Sequence, residues 1–61
     1  MNGSVKWFNK AKHFGFIIGE DGKEYFCHES QVNGVISDKE LVTFEPILTN
    51  KGIQAQNVRK R

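Results

Sequence analysis

Chain breakers are the strongest constraint in this sequence. Gly3, Gly19, Gly22, Gly34, Pro46 and Gly52 leave no long helical window between them. The intervening segments are short, and most are rich in aromatic and β-branched residues, which reads as strands. Five are predicted: VKWFN at 5–9, HFGFII at 13–18, EYFCH at 24–28, LVTFE at 41–45 and IQAQNVR at 53–59. Asn9-Lys10-Ala11-Lys12 joins the first pair, and Asp21-Gly22 is the turn signal between the second and third strands. Pro46 cannot donate to a central ladder and is expected to end the fourth strand. Asn50-Lys51-Gly52 turns the chain into the fifth. Residues 29–40 read mainly as loop, with room for one 3₁₀ turn at Ser30-Gln31-Val32 or a short helix over Asp38–Leu41.

With 61 residues the chain makes at most one domain, and no helix is left over to cover a sheet. Five short strands must then bury one face by curling on themselves, since an open sheet would leave two edges and an uncovered apolar side. The expected fold is all-β, a five-stranded antiparallel barrel. At this size that means an OB or an SH3-like barrel, and the pattern alone does not separate them. The usual supports of a small domain are missing. The single cysteine, Cys27, rules out an internal disulfide, and no set of thiolates and imidazoles could close a zinc site. Cys27 reads as a small core residue in a reducing compartment. No apolar run approaches the roughly 20 residues that span a bilayer, and no signal-peptide core is present. A cytoplasmic location is the expectation.

The net charge of +2 hides an asymmetry. Lys6, Lys10 and Lys12 precede any acid, and Lys51, Arg59, Lys60 and Arg61 follow the last one. Basic ends around an acidic middle point modestly to a polyanionic partner.

The aromatic residues carry more information. Trp7, Phe8, Phe14, Phe16, Tyr25 and Phe26 crowd the first half, and a core this small cannot hold them all beside Val5, Ile17, Val42, Ala55 and Val58. Alternation puts Phe14 and Phe16 on one face of the second strand, with Gly15 and Ile17 on the other. In the third strand it separates Phe26 and His28 from Tyr25 and Cys27. Cysteine prefers burial and histidine does not, so Phe26 and His28 face out. Ile17 suits the core, so Phe14 and Phe16 face out too. Strict alternation would put Trp7 on the same face as Val5. Val5 inside and Trp7 outside therefore requires a bulge or strong coiling near Lys6-Trp7.

The predicted surface joins Trp7, Phe14, Phe16, Phe26 and His28, with Phe8 at its margin and Lys6, Lys10 and Lys12 around it. Rings among lysines suit single-stranded nucleic acid, whose bases stack and whose phosphates meet ammonium groups. Duplex DNA fits poorly, because its bases are already stacked and no helix is available for a groove.

Lys6-Trp7-Phe8-Asn9, Lys12-His13-Phe14-Gly15-Phe16-Ile17, Tyr25-Phe26-Cys27-His28-Glu29-Ser30 and Gly52-Ile53-Gln54-Ala55-Gln56-Asn57-Val58 resemble, in order and spacing, the cold-shock domain family. The resemblance implies a single OB-fold domain over residues 1–61, with its first three strands as the binding face. It implies base contacts at Trp7, Phe8, Phe14, Phe16, Phe26 and His28, and a place for Lys12 beside the backbone path. It further implies an RNA chaperone, or a regulator of transcription or translation, with low sequence specificity. The chain departs from the family pattern at three places. His13 stands where glycine is usual, and either adds a stacking or hydrogen-bonding group or crowds the lysine path. Glu29 replaces an aromatic residue. The loop between Ser30 and Leu41 is short and lacks a phenylalanine. The last two predict a reduced platform and weaker binding.

Catalysis is not expected. His28 and Ser30 point one way and Glu29 the other, so the three cannot form a relay. No phosphate-binding glycine loop is present, and no cofactor is called for. His13, Cys27 and His28 are not expected to share a metal. The rival reading is a peptide- or protein-binding barrel using the same aromatic patch; its grooves often carry acids near their rings, and Lys6, Lys10 and Lys12 are the opposite. A monomer is the default, with a homodimer or a strand-swapped dimer left open.

Overall fold

The computed structural model describes all residues, 1–61. Five strands form: β1 (Asn2–Asn9), β2 (Phe14–Gly19), β3 (Glu24–His28), β4 (Leu41–Thr49) and β5 (Gly52–Lys60). A 3₁₀ turn over Glu29–Gln31 follows β3. Every predicted strand is present, and the 3₁₀ turn starts one residue earlier than expected. The helix allowed over Asp38–Leu41 is absent. Ser37–Glu40 makes a turn instead, closed by Glu40 N donating to Ser37 O at 3.1 Å, and β4 begins at once.

The strands pair in the order β1-β2-β3-β5-β4, and β4 returns to β1 through Asn2↔Thr43, Gly3↔Val42 and Ser4↔Leu41, so the sheet closes on itself. The expectation of a wholly antiparallel sheet fails at one pairing, because β3 and β5 run parallel, meeting at Phe26↔Gln54. The reason is parity. Directions can alternate all the way round a ring only when the strand number is even, so five strands must leave one parallel pair.

Pro46 does not end β4, which runs on to Thr49. Beyond Thr43 the strand has lost β1 as a neighbour and pairs with β5 alone. A proline with one free side removes no ladder bond that a neighbour needs.

Val5, Ile17, Tyr25, Cys27, Ile36, Val42, Phe44, Ala55 and Val58 make the core. It contains every residue assigned to it from sequence and adds Phe44 from β4 and Ile36 from the loop. Ile17 and Cys27 are fully buried while Phe14, Phe16 and Phe26 keep contact with solvent, so the outward assignment of these rings holds. Gly15 shows why that face was the right one to bury. A Cβ there would lie 2.3 Å from Trp7 O and 2.7 Å from the Phe8 ring, so only glycine lets β1 approach this closely.

Two bulges shape the sheet. In β1 the register against β2 slips between Val5↔Ile17 and Trp7↔Phe16, leaving Lys6 as the extra residue. This is the predicted break, and it turns Trp7 outward while Val5 stays in. In β5 the slip opposite Thr43/Glu45 coincides with Asn57 at φ 50°, a left-handed conformation that asparagine tolerates. The loop before β4 then docks on the free flank of β1. Lys39 N donates to Val5 O (2.7 Å), Val5 N to Glu40 O (2.9 Å), and Phe8 N to Asp38 Oδ1 (3.1 Å).

Candidate nucleic-acid interface

The outward rings of β1, β2 and β3 form one continuous cluster. Cross-strand register sets Trp7 opposite Phe16, Phe16 opposite Phe26, and Phe14 opposite His28. Trp7 meets Phe14 at 5.6 Å and Phe16 at 5.4 Å between centroids, with interplanar angles of 66° and 59°. Phe26 meets Phe14 at 5.6 Å, stacked at 26°, and Phe16 at 5.8 Å, edge-on at 78°. Each ring thus contacts two others in geometries that aromatic quadrupoles favour. The four are half-buried, braced below by the sheet and by one another and open above.

The bulge at Lys6 sends its side chain to Glu24, Nζ to Oε1 at 2.9 Å, with both side chains exposed. Lys6 therefore borders the rings with its charge already engaged. Lys10 and Lys12 lie in the β1–β2 turn, exposed and without an ion-pair partner. That turn is built on Asn9, whose backbone and side-chain oxygens both accept from Lys12 N, at 3.2 and 3.1 Å.

His13 ends the turn rather than opening β2. Its φ of 64° lies in the left-handed region that favours glycine. Its Nδ1 lies 3.3 Å from Glu29 Oε2, and Glu29 N donates to His13 O at 2.9 Å. Two departures from the family pattern thus touch each other. His28 is exposed beside Phe14 and caps the 3₁₀ turn, with Nδ1 accepting from Ser30 N at 3.1 Å and lying 2.9 Å from Ser30 Oγ. His28 and Ser30 share a side while Glu29 turns away to His13, so no relay forms among the three.

Phe8 stands apart from the ring cluster. It packs against the core and lines a second groove with Lys10, Glu29, Val32, Gly34, Val35 and Ile36. Sequence reasoning also left out part of the main groove. Phe16, Phe26 and His28 line it together with Glu24, Lys51, Ile53 and Gln54. The parallel β3–β5 pairing brings residues 51–54 there, and no local pattern announces that pairing. Lys51 was visible only as one charge in the basic final segment.

Away from this face, Asp21, Tyr25 and Cys27 are the groups whose titration the fold shifts. The Tyr25 hydroxyl donates to Asp21 Oδ2 at 2.6 Å. That bond, with the Lys23 backbone N–H, holds the Asp21 carboxyl below its ordinary range, and the same bond raises the Tyr25 hydroxyl. Burial pushes the Cys27 thiol up to about 11. No group of three His, Cys, Asp or Glu side chains is gathered to hold a metal, and no helix is long and apolar enough to cross a membrane.

The sequence matches the family described as the 'Cold-shock' DNA-binding domain over residues 1–61. It is 48% identical to the cold shock-like protein CspA of Stigmatella aurantiaca, across 93% of this chain and 91% of that one. It is 46% identical to cold shock protein 1 of Lactiplantibacillus plantarum, across 93% and 92%. Cold shock protein CspD of Bacillus subtilis is 43% identical, across 98% and 97%. The matched family is one of binding domains, and this chain is not an enzyme. With the whole sequence matched and the outward rings of three adjacent strands in contact, the chain belongs to the cold-shock domain family.

Proposed function

We propose that this chain binds single-stranded RNA or DNA by stacking successive bases on Trp7, Phe14, Phe16 and Phe26. His28 continues the platform, Lys10 and Lys12 meet the phosphates, and Lys6 joins them when it leaves Glu24. The observation that carries the reading is the contact of the four solvent-facing rings, with centroids 5.4–5.8 Å apart. Any base has a π face, so such a platform is tolerant of sequence, at roughly 1–3 kcal/mol per stacked base. In this reading the closed sheet is a single OB-fold barrel over residues 1–61 that acts in the cytoplasm, as a monomer. Phe8, in the second groove, serves a base or phosphate that passes the β1–β2 turn, and His13 lies beside that path. Binding that holds RNA single-stranded suits a chaperone of weak RNA structure, or a regulator of transcription or translation. Glu29, beside the platform, limits affinity through repulsion of phosphates.

Fluorescence titration of Trp7 tests the proposal. Oligothymidine is expected to quench emission at micromolar concentration, more weakly at higher salt, whereas duplex DNA and a proline-rich peptide leave it unchanged. Phe16→Ala and Phe26→Ala each reduce affinity by about five- to a hundredfold and leave the fold intact. Unchanged emission with oligothymidine, or quenching by the peptide, refutes the reading.

A further inference from the structure

We propose that Ser30 is a positioning residue that fixes the tautomer of His28, so that the imidazole offers the nucleic acid one hydrogen-bond donor, Nε2–H, and no acceptor. The proposal rests on the single-strand reading of this face for its ligand, and on geometry alone for the tautomer.

A backbone N–H can only donate. The Ser30 N–H is directed at His28 Nδ1 at 3.1 Å, and Ser30 Oγ lies 2.9 Å from the same nitrogen. A proton on Nδ1 would confront the Ser30 N–H, so Nδ1 presents its lone pair and the ring proton resides on Nε2. The arrangement follows from the chain path. His28 is extended, at φ −85° and ψ 146°, and the 3₁₀ turn that begins at Glu29 swings Ser30 back over the ring.

The other histidine gives the opposite result. His13 Nδ1 faces Glu29 Oε2 at 3.3 Å, and a carboxylate only accepts, so there the proton is on Nδ1. Two histidines on neighbouring segments are thus held in opposite proton arrangements.

The consequence concerns recognition. His28 lines the main groove with Phe26 and Gln54. With Nδ1 occupied, the ring presents its face and one N–H there. It directs that donor toward an acceptor on the stacked base, such as a pyrimidine carbonyl oxygen.

Long-range ¹H–¹⁵N correlation of the imidazoles in the full ¹⁵N-labelled chain at pH 8 reads the tautomers without any nucleic acid. His28 is expected to show an unprotonated Nδ1 and a protonated Nε2, with the reverse at His13. Ser30→Pro, which removes the backbone N–H, should shift His28 toward a mixture and weaken oligothymidine binding by about three- to fivefold, while Ser30→Ala, which keeps that N–H, should leave the tautomer as in the wild type. A wild-type His28 with protonated Nδ1, or a Ser30→Pro chain that is folded and unchanged in tautomer, overturns the proposal. Failure of the single-strand reading would appear separately, as absent Trp7 quenching in the wild-type chain.

Discussion

At His13 the backbone φ of 64° puts a Cβ where it crowds the following carbonyl, at a cost of about 1–2 kcal/mol. The bond to Glu29 is exposed and offsets only part of this. Glycine relieves the crowding but has more freedom to lose on folding. The balance favours His13→Gly by about 0.5 kcal/mol, a rise in Tm of roughly 2–4 °C for so short a chain. Thermal unfolding followed by circular dichroism checks this, and a fall in Tm would mean that the His13–Glu29 contact outweighs the strain. The sequence offered two signals here. Strand patterning placed His13 inside β2, where it is not, while the family resemblance marked it as a glycine position. Periodicity describes which way side chains face and carries no information on the sign of φ. For Cys27 and Ile17 facing is all that matters, and both were legible.

β1 gains its role from one inserted residue. The bulge lets a strand with Val5 in the core still contribute Trp7 to the outer face, and it directs Lys6 to Glu24. That ion pair withholds a positive charge from the platform. Glu24→Gln is expected to release Lys6 and tighten oligothymidine binding by about two- to fivefold at low salt, with the gain fading as salt rises. Equal affinity at low salt would show that Lys6 does not meet phosphate. The bulge was legible chiefly through the family resemblance, which put Trp7 outside where strict alternation would have set it beside Val5. The extent of β4 was not, since the rule against proline assumes a neighbour on both sides. The share of β5 in the groove was equally hidden. Gln54 arrives beside Phe26 through a pairing of strands remote in sequence, and Lys51 arrives with it.

The closed sheet encloses a small core with one ionisable thiol. Cys27 is held protonated up to about pH 11, against an ordinary value of 9.0. Between these values the unfolded chain has released this proton and the folded chain retains it. Stability therefore falls as pH rises through that window, by about 1.4 kcal/mol per pH unit. Urea unfolding at pH 8, 9 and 10 should show the fall, and Cys27→Ala should flatten it; an equal slope in the variant would assign the loss elsewhere. Tyr25 remains raised in both chains and contributes only near and above its ordinary value of 10.0. The all-β class and the need for closure were readable from segment length and the lack of helices. The one parallel pairing follows from the odd strand number once closure is accepted, although no residue announces it. That pairing also has a consequence in time. The meander β1–β2–β3 links neighbours in sequence, whereas the β3–β5 seam joins the chain's middle to its end. The four rings all lie within the first 26 residues, whereas the groove beside them needs residues 51–54. Lys51 and Gln54 take their places only when β5 has docked on β3, so that wall of the groove is built by the longest-range pairing in the sheet that touches it.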